Sequence, residues 1–186
     1  VKKSTVTDNY NDLAGKPNSN SGLYVTSKQS FYYSNDFGET WTQKKVSATD
    51  TFSSIMIGVS KADSNLLYVV TWRNKISTGK TYFGGVFKSK DGGQNWRLQS
   101  NTPQILGYSS DGTSNDGQGG YNLTITVDPK NASNVYVGAI NLWKSSDSAK
   151  TWRQQSHWAY GVHADKHHYI FSPFNSKKLF IAHDGG

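Results

Sequence analysis

A 14-residue pattern that occurs three times constrains the fold more than any other feature of the sequence. The copies are FYYSNDFGETWTQK, VFKSKDGGQNWRLQ and LWKSSDSAKTWRQQ, and their central aspartates are Asp36, Asp91 and Asp147. Successive aspartates lie 55 and 56 residues apart. Chance does not keep this register over so many positions, so the chain contains an internal repeat.

A second repeated element falls inside the same period. The segments VSKADSNLLYVV (59–70), VDPKNASNVYVG (127–138) and FSPFNSKKLFIA (171–182) align without gaps, and each contains a turn followed by an apolar and aromatic strand. Each period therefore holds four short strands. A unit of four antiparallel strands that repeats in this way predicts the blade of a β-propeller.

The composition agrees with an all-β fold. The 186 residues include 6 Trp, 11 Tyr, 8 Phe and 18 Gly, and 34% of the chain is hydrophobic. Strands and turns favour these residue types, and no long segment has apolar residues at helical spacing. We therefore predict an all-β chain built of four-stranded antiparallel blades.

The repeat also predicts how the blades divide the chain. We expect one propeller portion over residues 1–186, with blade 1 at about 20–45, blade 2 at about 53–100, blade 3 at about 121–156 and the start of blade 4 at about 163–186. These amount to about three and a half blades, whereas propellers close with ~4–8. We expect the remainder of the same polypeptide, or a second chain, to close the ring.

The 14-residue pattern lies in the turn between the third and fourth strands of each blade. Its aspartate can accept hydrogen bonds from N–H groups of its own turn, its glycine can adopt a positive φ and its tryptophan can cover the turn. A calcium site there is the weaker alternative, because further ligands would have to come from outside the hairpin. We predict structural roles for Ser34, Asp36, Gly38, Thr40, Trp41, Ser89, Asp91, Gly93, Trp96, Ser145, Asp147, Thr151 and Trp152.

The pattern Ser-x-Asp-x-Gly-x-Thr-Trp resembles the Asp-box, or BNR, repeat. It is complete in SNDFGETW, whereas Asn95 replaces Thr in the second copy and Ala149 replaces Gly in the third. Sialidases, xyloglucan-type glycosidases, sortilin-like receptors and photosystem assembly factors carry this repeat. The resemblance implies a β-propeller in which the repeat is structural, and it selects no function because these proteins do unrelated jobs.

The last segment, YGVHADKHHYIFSPFNSKKLFIAHDGG, carries a second resemblance. It is similar to a segment of large exported Bacteroidetes-type propeller proteins, in which a His-x-Asp-x-His strand leads to an Asp-Gly-Gly turn. The matching residues are His163, Asp165, His167, Asp184 and Gly185–Gly186. The resemblance implies a secreted or cell-surface location.

The long loops predict where ligands bind. The turn between strands two and three and the links between blades lie on the face opposite the repeated turns, and the insertions 71–85, 101–121 and 156–165 fall there. Loops on a rigid scaffold commonly carry binding residues. The predicted ligand-binding residues are Trp72, Tyr108, Trp158 and Tyr160.

His163, Asp165 and His167 form the best chemical candidate. On an extended strand these three side chains would point to one side, where N and O ligands can hold a divalent metal. A hydrogen-bonded His–Asp pair that orders the loop is the structural alternative, and Asp165 and His163 are the weak catalytic candidates. Asp111 and Asp116 lie in a glycine-rich loop that suits Ca²⁺ only loosely. We otherwise expect no cofactor.

Charge and residue content bear on the function classes. The net charge is +7, but no run of Lys or Arg exceeds two, so we expect no nucleic-acid partner. The chain has no Cys, which excludes disulfides and a cysteine nucleophile. No apolar run reaches the ~18 residues of a membrane span, so we expect none.

Three functions are consistent with these observations. The favoured one is a non-catalytic module of an exported or cell-surface protein that binds protein or glycan through its long loops. The second is a xyloglucanase- or sialidase-like glycoside hydrolase, which needs two carboxylates across a cleft; the sequence singles out no such pair. The third is an assembly factor or chaperone.

Overall fold

The structure is a computed structural model that describes residues 8–75 and 78–185. Its strands form three four-stranded antiparallel sheets and one two-stranded sheet, and no helix occurs within the described residues. The chain is a partial β-propeller of about three and a half blades, as predicted. No helix in the described ranges is long and apolar enough to cross a membrane.

Blade 1 begins earlier than the predicted start near residue 20. Its strands are β1 (Tyr10–Gly15), β2 (Leu23–Ser27), β3 (Ser30–Ser34) and β4 (Thr42–Lys45), and they lie in this order across the sheet. The first strand has the polar sequence YNDLAG and is largely solvent-accessible. It therefore lacks the apolar alternation that marks a strand in a sequence.

Blade 2 contains the longest strands. They are β5 (Ser54–Ser60), β6 (Asp63–Lys75), β7 (Lys80–Ser89) and β8 (Arg97–Ser100). The segment 71–85, predicted as a long loop, is instead mostly a hairpin in which Trp72 pairs with Phe83 and Lys75 with Lys80. A register shift next to Trp72 lets the ladder continue past the glycine pair, which suggested a loop. Residues 76–77 of this segment lie outside the described residues.

Blades 3 and 4 complete the arc. Blade 3 consists of β9 (Thr124–Val127), β10 (Val135–Gly138), β11 (Leu142–Ser145) and β12 (Arg153–Ser156), and the fourth sheet of β13 (Lys166–Phe171) and β14 (Leu179–His183). The first strands β1, β5, β9 and β13 lie side by side, each against the next. They therefore form the inner wall of the arc, as in a propeller channel.

Apolar side chains and hydrogen bonds join neighbouring blades. One buried cluster, which includes Phe31 and Leu67, lies between blades 1 and 2, and another, which includes Tyr68 and Val137, lies between blades 2 and 3. The Thr26 hydroxyl donates to the Ile55 carbonyl at 2.6 Å across the first junction. The core therefore lies between the sheets rather than inside any one of them.

The repeated turns form the hydrogen bonds that the sequence predicts. In the first copy, the Asp36 carboxylate accepts from the Ser34 hydroxyl at 2.7 Å and from both the N–H and the hydroxyl of Thr40 at 2.9 and 2.5 Å. The Thr40 and Ser34 bonds lower the pKa of Asp36 to about 2. Asp91 and Asp147 have equivalent bonds in the other two copies.

In blade 2, both the backbone conformation and a close contact with blade 1 favour glycine in the repeated turn. Gly93 has a φ of +92°, and a Cβ on it would lie 2.1 Å from Cε1 of Phe31 in blade 1. In the third copy, Ala149 occupies the same position with a φ of 66° and is fully buried. The turn itself therefore accepts a methyl group, and the contact with blade 1 is what excludes one at Gly93.

Candidate functional site

The links between blades and the turns between second and third strands share one side of the arc, which we call the loop face. It includes the turn 139–141 and the links 101–123 and 157–165. Antiparallel strands alternate in direction, so the repeated turns lie on the opposite side. The loop face carries most of the ligand-binding and metal-binding candidates that the sequence singled out.

Trp72 does not present its ring as a binding surface, contrary to the prediction. It is partly buried and packs against the core between blades 2 and 3. The backbone of Gly119 and Gly120 covers the indole, since a Cβ on either glycine would lie within 3.0 Å of it. The link between blades folds back over the hairpin, and this long-range contact is not visible in the sequence.

The other three aromatic candidates are exposed and lie on two links. Tyr108, Trp158 and Tyr160 are 46%, 44% and 70% exposed. The His157 ring stacks on Tyr160 with centroids 4.9 Å apart and an interplanar angle of 19°. We call these four residues, Tyr108, His157, Trp158 and Tyr160, the aromatic platform.

Asn141 joins the two links that carry the aromatic platform. Its amide nitrogen donates to the carbonyls of Gly107 and Tyr108 at 3.0 and 3.2 Å, and its amide oxygen accepts from the Trp158 N–H at 2.9 Å. The residue is fully buried in the turn between β10 and β11. An amide is the side chain that both donates and accepts here. It therefore fixes both aromatic links to one rigid turn.

A chain of side-chain hydrogen bonds runs from the platform toward the fourth blade. The Gln118 amide donates to the Tyr108 hydroxyl at 3.0 Å, and its oxygen accepts from Asn122 at 3.1 Å. The Asn122 amide nitrogen also donates to the Asp165 carboxylate. Asn122 is fully buried. Asp165 therefore belongs to the same polar network as the exposed Tyr108.

The predicted row of His163, Asp165 and His167 does not form. The strand begins only at Lys166, Asp165 has a φ of 62°, and a register shift falls at His167. These breaks remove the alternation of an extended strand that would align the three side chains. Within residues 8–75 and 78–185, no group of three or more His, Cys, Asp or Glu side chains is arranged to hold a metal.

The two histidines of that row instead contact residues near the end of the chain. His167 Nε2 lies 2.6 Å from an oxygen of Asp184, and the other Asp184 oxygen accepts from the Tyr121 hydroxyl at 3.2 Å. The bonds from His167 and Tyr121 lower the pKa of Asp184. The His163 ring stacks against His183, with centroids 5.8 Å apart. Asp184 is therefore held as an ionised acceptor.

Lys166 is a site residue that the sequence did not single out. It is fully buried, and its Nζ donates to the carbonyls of Ile140 and Val162 at 2.5 and 3.4 Å. Burial lowers its pKa to about 8, and the charge of Asp165 opposes this shift. Lys166 therefore connects the link 157–165, through Val162, to the turn 139–141, through Ile140.

The carboxylates of the glycine-rich link bond to separate backbone segments. Asp111 accepts from the N–H and hydroxyl of Thr113, and Asp116 accepts from the N–H of Thr81 at 2.8 Å. Each carboxylate therefore anchors its own part of the link. Asp116 holds the link against the extended hairpin of blade 2.

The arc is similar to β-propellers of known structure. The GH74 enzyme of Niastella koreensis has a TM-score of 0.65 and 20% identity over 94% of this chain. The GH74 xyloglucanase of Xanthomonas campestris has a TM-score of 0.60 and 15% identity over 94%. YCF48 with a bound D1 peptide has a TM-score of 0.57 and 15% identity over 91%.

These similarities concern the fold. The chain spans 26%, 27% and 47% of the lengths of those three proteins. No protein-family profile and no curated protein sequence matches it. The chain is therefore part of a β-propeller, a fold that serves enzymes and binding proteins alike.

Proposed function

We propose that the chain is a non-catalytic part of a propeller protein that binds a glycan across the loop face. The observation that carries the proposal is the aromatic platform, whose two links are fixed by the buried Asn141. Exposed aromatic rings provide flat apolar faces, which stack on sugar rings. The Asp165 carboxylate, which is connected to Tyr108 through Asn122 and Gln118, supplies a hydrogen-bond acceptor for hydroxyl groups.

The rigidity of the platform favours binding. A ligand that meets preformed loops loses less free energy in ordering them. Three hydrogen bonds at Asn141 and two at Lys166 hold the links before any ligand arrives. Two of the similar structures are GH74 enzymes, one of them a xyloglucanase, so xyloglucan oligosaccharides are suitable first probes.

A glycoside hydrolase is the second candidate, because Asp165 and Asp184 both contact the link that carries Tyr108, at Asn122 and Tyr121. Hydrolysis requires a carboxyl group that stays protonated to act as general acid, usually through a raised pKa. The pKa of Asp184 is shifted the other way by His167 and Tyr121. We therefore favour binding without hydrolysis, and release of reducing ends from bound oligosaccharide would contradict this part of the proposal.

The experiment is a glycan array probed with the protein and with Trp158→Ala and Tyr160→Ala variants. We expect neutral oligosaccharide binding that both substitutions weaken at least tenfold. Phe37→Ala is the matched control, since it removes an exposed aromatic ring from the repeated turn of blade 1, on the side opposite the loop face. An array without signal, or binding that the two variants leave intact, would refute the proposal. Binding of an extended peptide instead would favour the assembly-factor alternative, as YCF48 with its D1 peptide suggests.

We further propose that the protein is secreted or displayed at the cell surface. The support is the resemblance of residues 160–186 to exported propeller proteins. Fractionation of the source cells with an antibody against the chain tests this, and recovery in the cytosolic fraction alone would refute it.

A further inference from the structure

Four cationic side chains converge on a groove at the junction of blades 2 and 3, away from the loop face. The groove has a volume of about 880 Å³ and is lined by Lys88, Lys90 and Arg97 from blade 2 and by Lys150 from blade 3. Three of the four are strongly exposed, and Lys88 is partly buried. We call this feature the cationic groove.

These charges are not neutralised within the described part of the chain. None of the four takes part in an ion pair there. The one carboxylate that lines the groove, Asp91, already accepts four hydrogen bonds within its own turn. Asp63 lies near enough to interact with Lys88. The groove therefore keeps a net positive potential that faces solvent.

Lys88 is held in place rather than free to move away. Its Nζ lies 5.5 Å from the centroid of the Tyr68 ring, a cation–π arrangement. Burial, and then the charges of Lys90 and Lys150, lower the pKa of Lys88. The three ammonium groups line one groove and repel one another. An anion that entered the groove would relieve this repulsion.

The repeat accounts for two of the four cations and not for the other two. In the third copy Lys144 and Arg153 stand at the positions of Lys88 and Arg97, whereas the neutral Ser146 stands at that of Lys90. At the junction of blades 1 and 2, the repeat places neutral residues at all four equivalent positions: Tyr33, Asn35, Thr42 and Gln94. The repeated turn forms the same hydrogen bonds in both places. The turn therefore does not need these charges, and the addition of Lys90 and Lys150 to Lys88 and Arg97 at the junction of blades 2 and 3 indicates a separate role.

We propose that the cationic groove binds an acidic polysaccharide, a polymer that carries carboxylate or sulfate groups on successive sugars. Several spaced cations match a polymer with repeated charges better than a single small anion. Asn95, Gln99 and Ser148 also line the groove; each donates one side-chain hydrogen bond within the protein, and the remaining capacity of their amide and hydroxyl groups suits sugar hydroxyls. The site is distinct from the loop face and is independent of the function proposed for it.

The aromatic content of the groove argues against single-stranded nucleic acid. Such ligands need exposed rings on which successive bases stack. The aromatic residue that lines the groove is Trp96, and its ring packs against Phe31 with centroids 5.0 Å apart. Its indole nitrogen is buried. Binding in the groove therefore depends on charge and hydrogen bonding.

The test measures binding of polygalacturonate to the purified protein by titration calorimetry, with neutral xyloglucan, oligothymidine and polyglutamate as comparison polymers. We expect polygalacturonate to bind most tightly of the four polymers. Its affinity should fall as the salt concentration rises from about 50 to about 300 mM. The double variant Lys90→Gln/Lys150→Gln should bind polygalacturonate roughly tenfold more weakly, because two exposed charge contacts are lost.

The matched control is Lys177→Gln/Lys178→Gln, which removes the same charge from an exposed turn of blade 4. It should change the affinity less than about twofold. Equal weakening by both double variants would overturn the assignment to the groove. Tighter binding of oligothymidine or polyglutamate, or neutral xyloglucan binding that Lys90→Gln/Lys150→Gln weakens to the same extent, would overturn the assignment to acidic polysaccharide. Failure of the loop-face proposal would show instead as loss of neutral glycan binding alone.

Discussion

Replacement of Asn141 by alanine tests whether one buried amide organises the loop face. The change removes three hydrogen bonds and leaves the carbonyls of Gly107 and Tyr108 and the N–H of Trp158 without their partner. Each such bond contributes about 1 kcal/mol net. Because the site is fully buried, water cannot replace the bonds easily. We expect the free energy of unfolding to fall by about 3 kcal/mol.

The assay is urea unfolding followed by tryptophan fluorescence, together with hydrogen exchange of the Trp158 amide. For a domain of this size, about 3 kcal/mol corresponds to a Tm lower by roughly 6–12 °C. The Trp158 amide should exchange faster in the variant, since its acceptor is gone. The free energy of unfolding reports all three bonds, and the exchange rate reports the one that the Trp158 N–H donates.

Asn175→Ala is the matched control for this experiment. Asn175 is exposed, and its side chain accepts one hydrogen bond, from the N–H of Lys177 at 3.0 Å. We expect it to cost less than about 1 kcal/mol. An Asn141→Ala variant that is as stable as Asn175→Ala, or whose Trp158 amide exchanges at the wild-type rate, would refute the argument.

Two further predictions concern the blades themselves. Gly93→Ala should lower the free energy of unfolding by at least about 2 kcal/mol in urea, because the new methyl group meets Phe31 and the φ of +92° is strained for Ala. The control is Gly79→Ala, at a residue with a positive φ but open space around it, and it should cost about 1 kcal/mol or less. Equal costs for the two variants would contradict the role of the Phe31 contact. Asp36→Asn should lower the Tm at neutral pH. Because the folded-state pKa of Asp36 is depressed to about 2, the wild-type advantage is present above the ordinary value of 3.8 and is lost as the pH falls through about 2. An advantage that stays constant between about pH 4 and pH 1.5 would contradict this linkage.

The fold could be predicted because its determinants are local. Each repeated turn carries its own acceptor, donors and covering tryptophan within eight residues, and the fixed spacing then defines the blade. The first strand was missed because YNDLAG has almost no apolar signal. The extended hairpin was missed because Gly84 and Gly85 favour a loop in isolation, whereas strand pairing continues past them.

The candidate site was predicted less completely because it depends on long-range contacts. The sequence placed Tyr108 and Trp158 on loops, but nothing in it connects them to Asn141, which lies more than 30 residues from Tyr108. The sequence places Trp72 in an exposed loop, whereas in the structure the link that contains Gly119 covers its ring. The predicted row of His163, Asp165 and His167 required an unbroken strand, and the positive φ of Asp165 shows that the strand is interrupted there.

The most direct test of the loop-face proposal is a two-dimensional NMR titration that follows the six tryptophan indole N–H signals while a xyloglucan oligosaccharide is added. The account predicts a saturable shift of the Trp158 signal. The signals of Trp41, Trp96 and Trp152, which lie at the repeated turns on the opposite side, should stay in place. Shifts confined to those three, or an unmoved Trp158 signal in the presence of demonstrated binding, would contradict it.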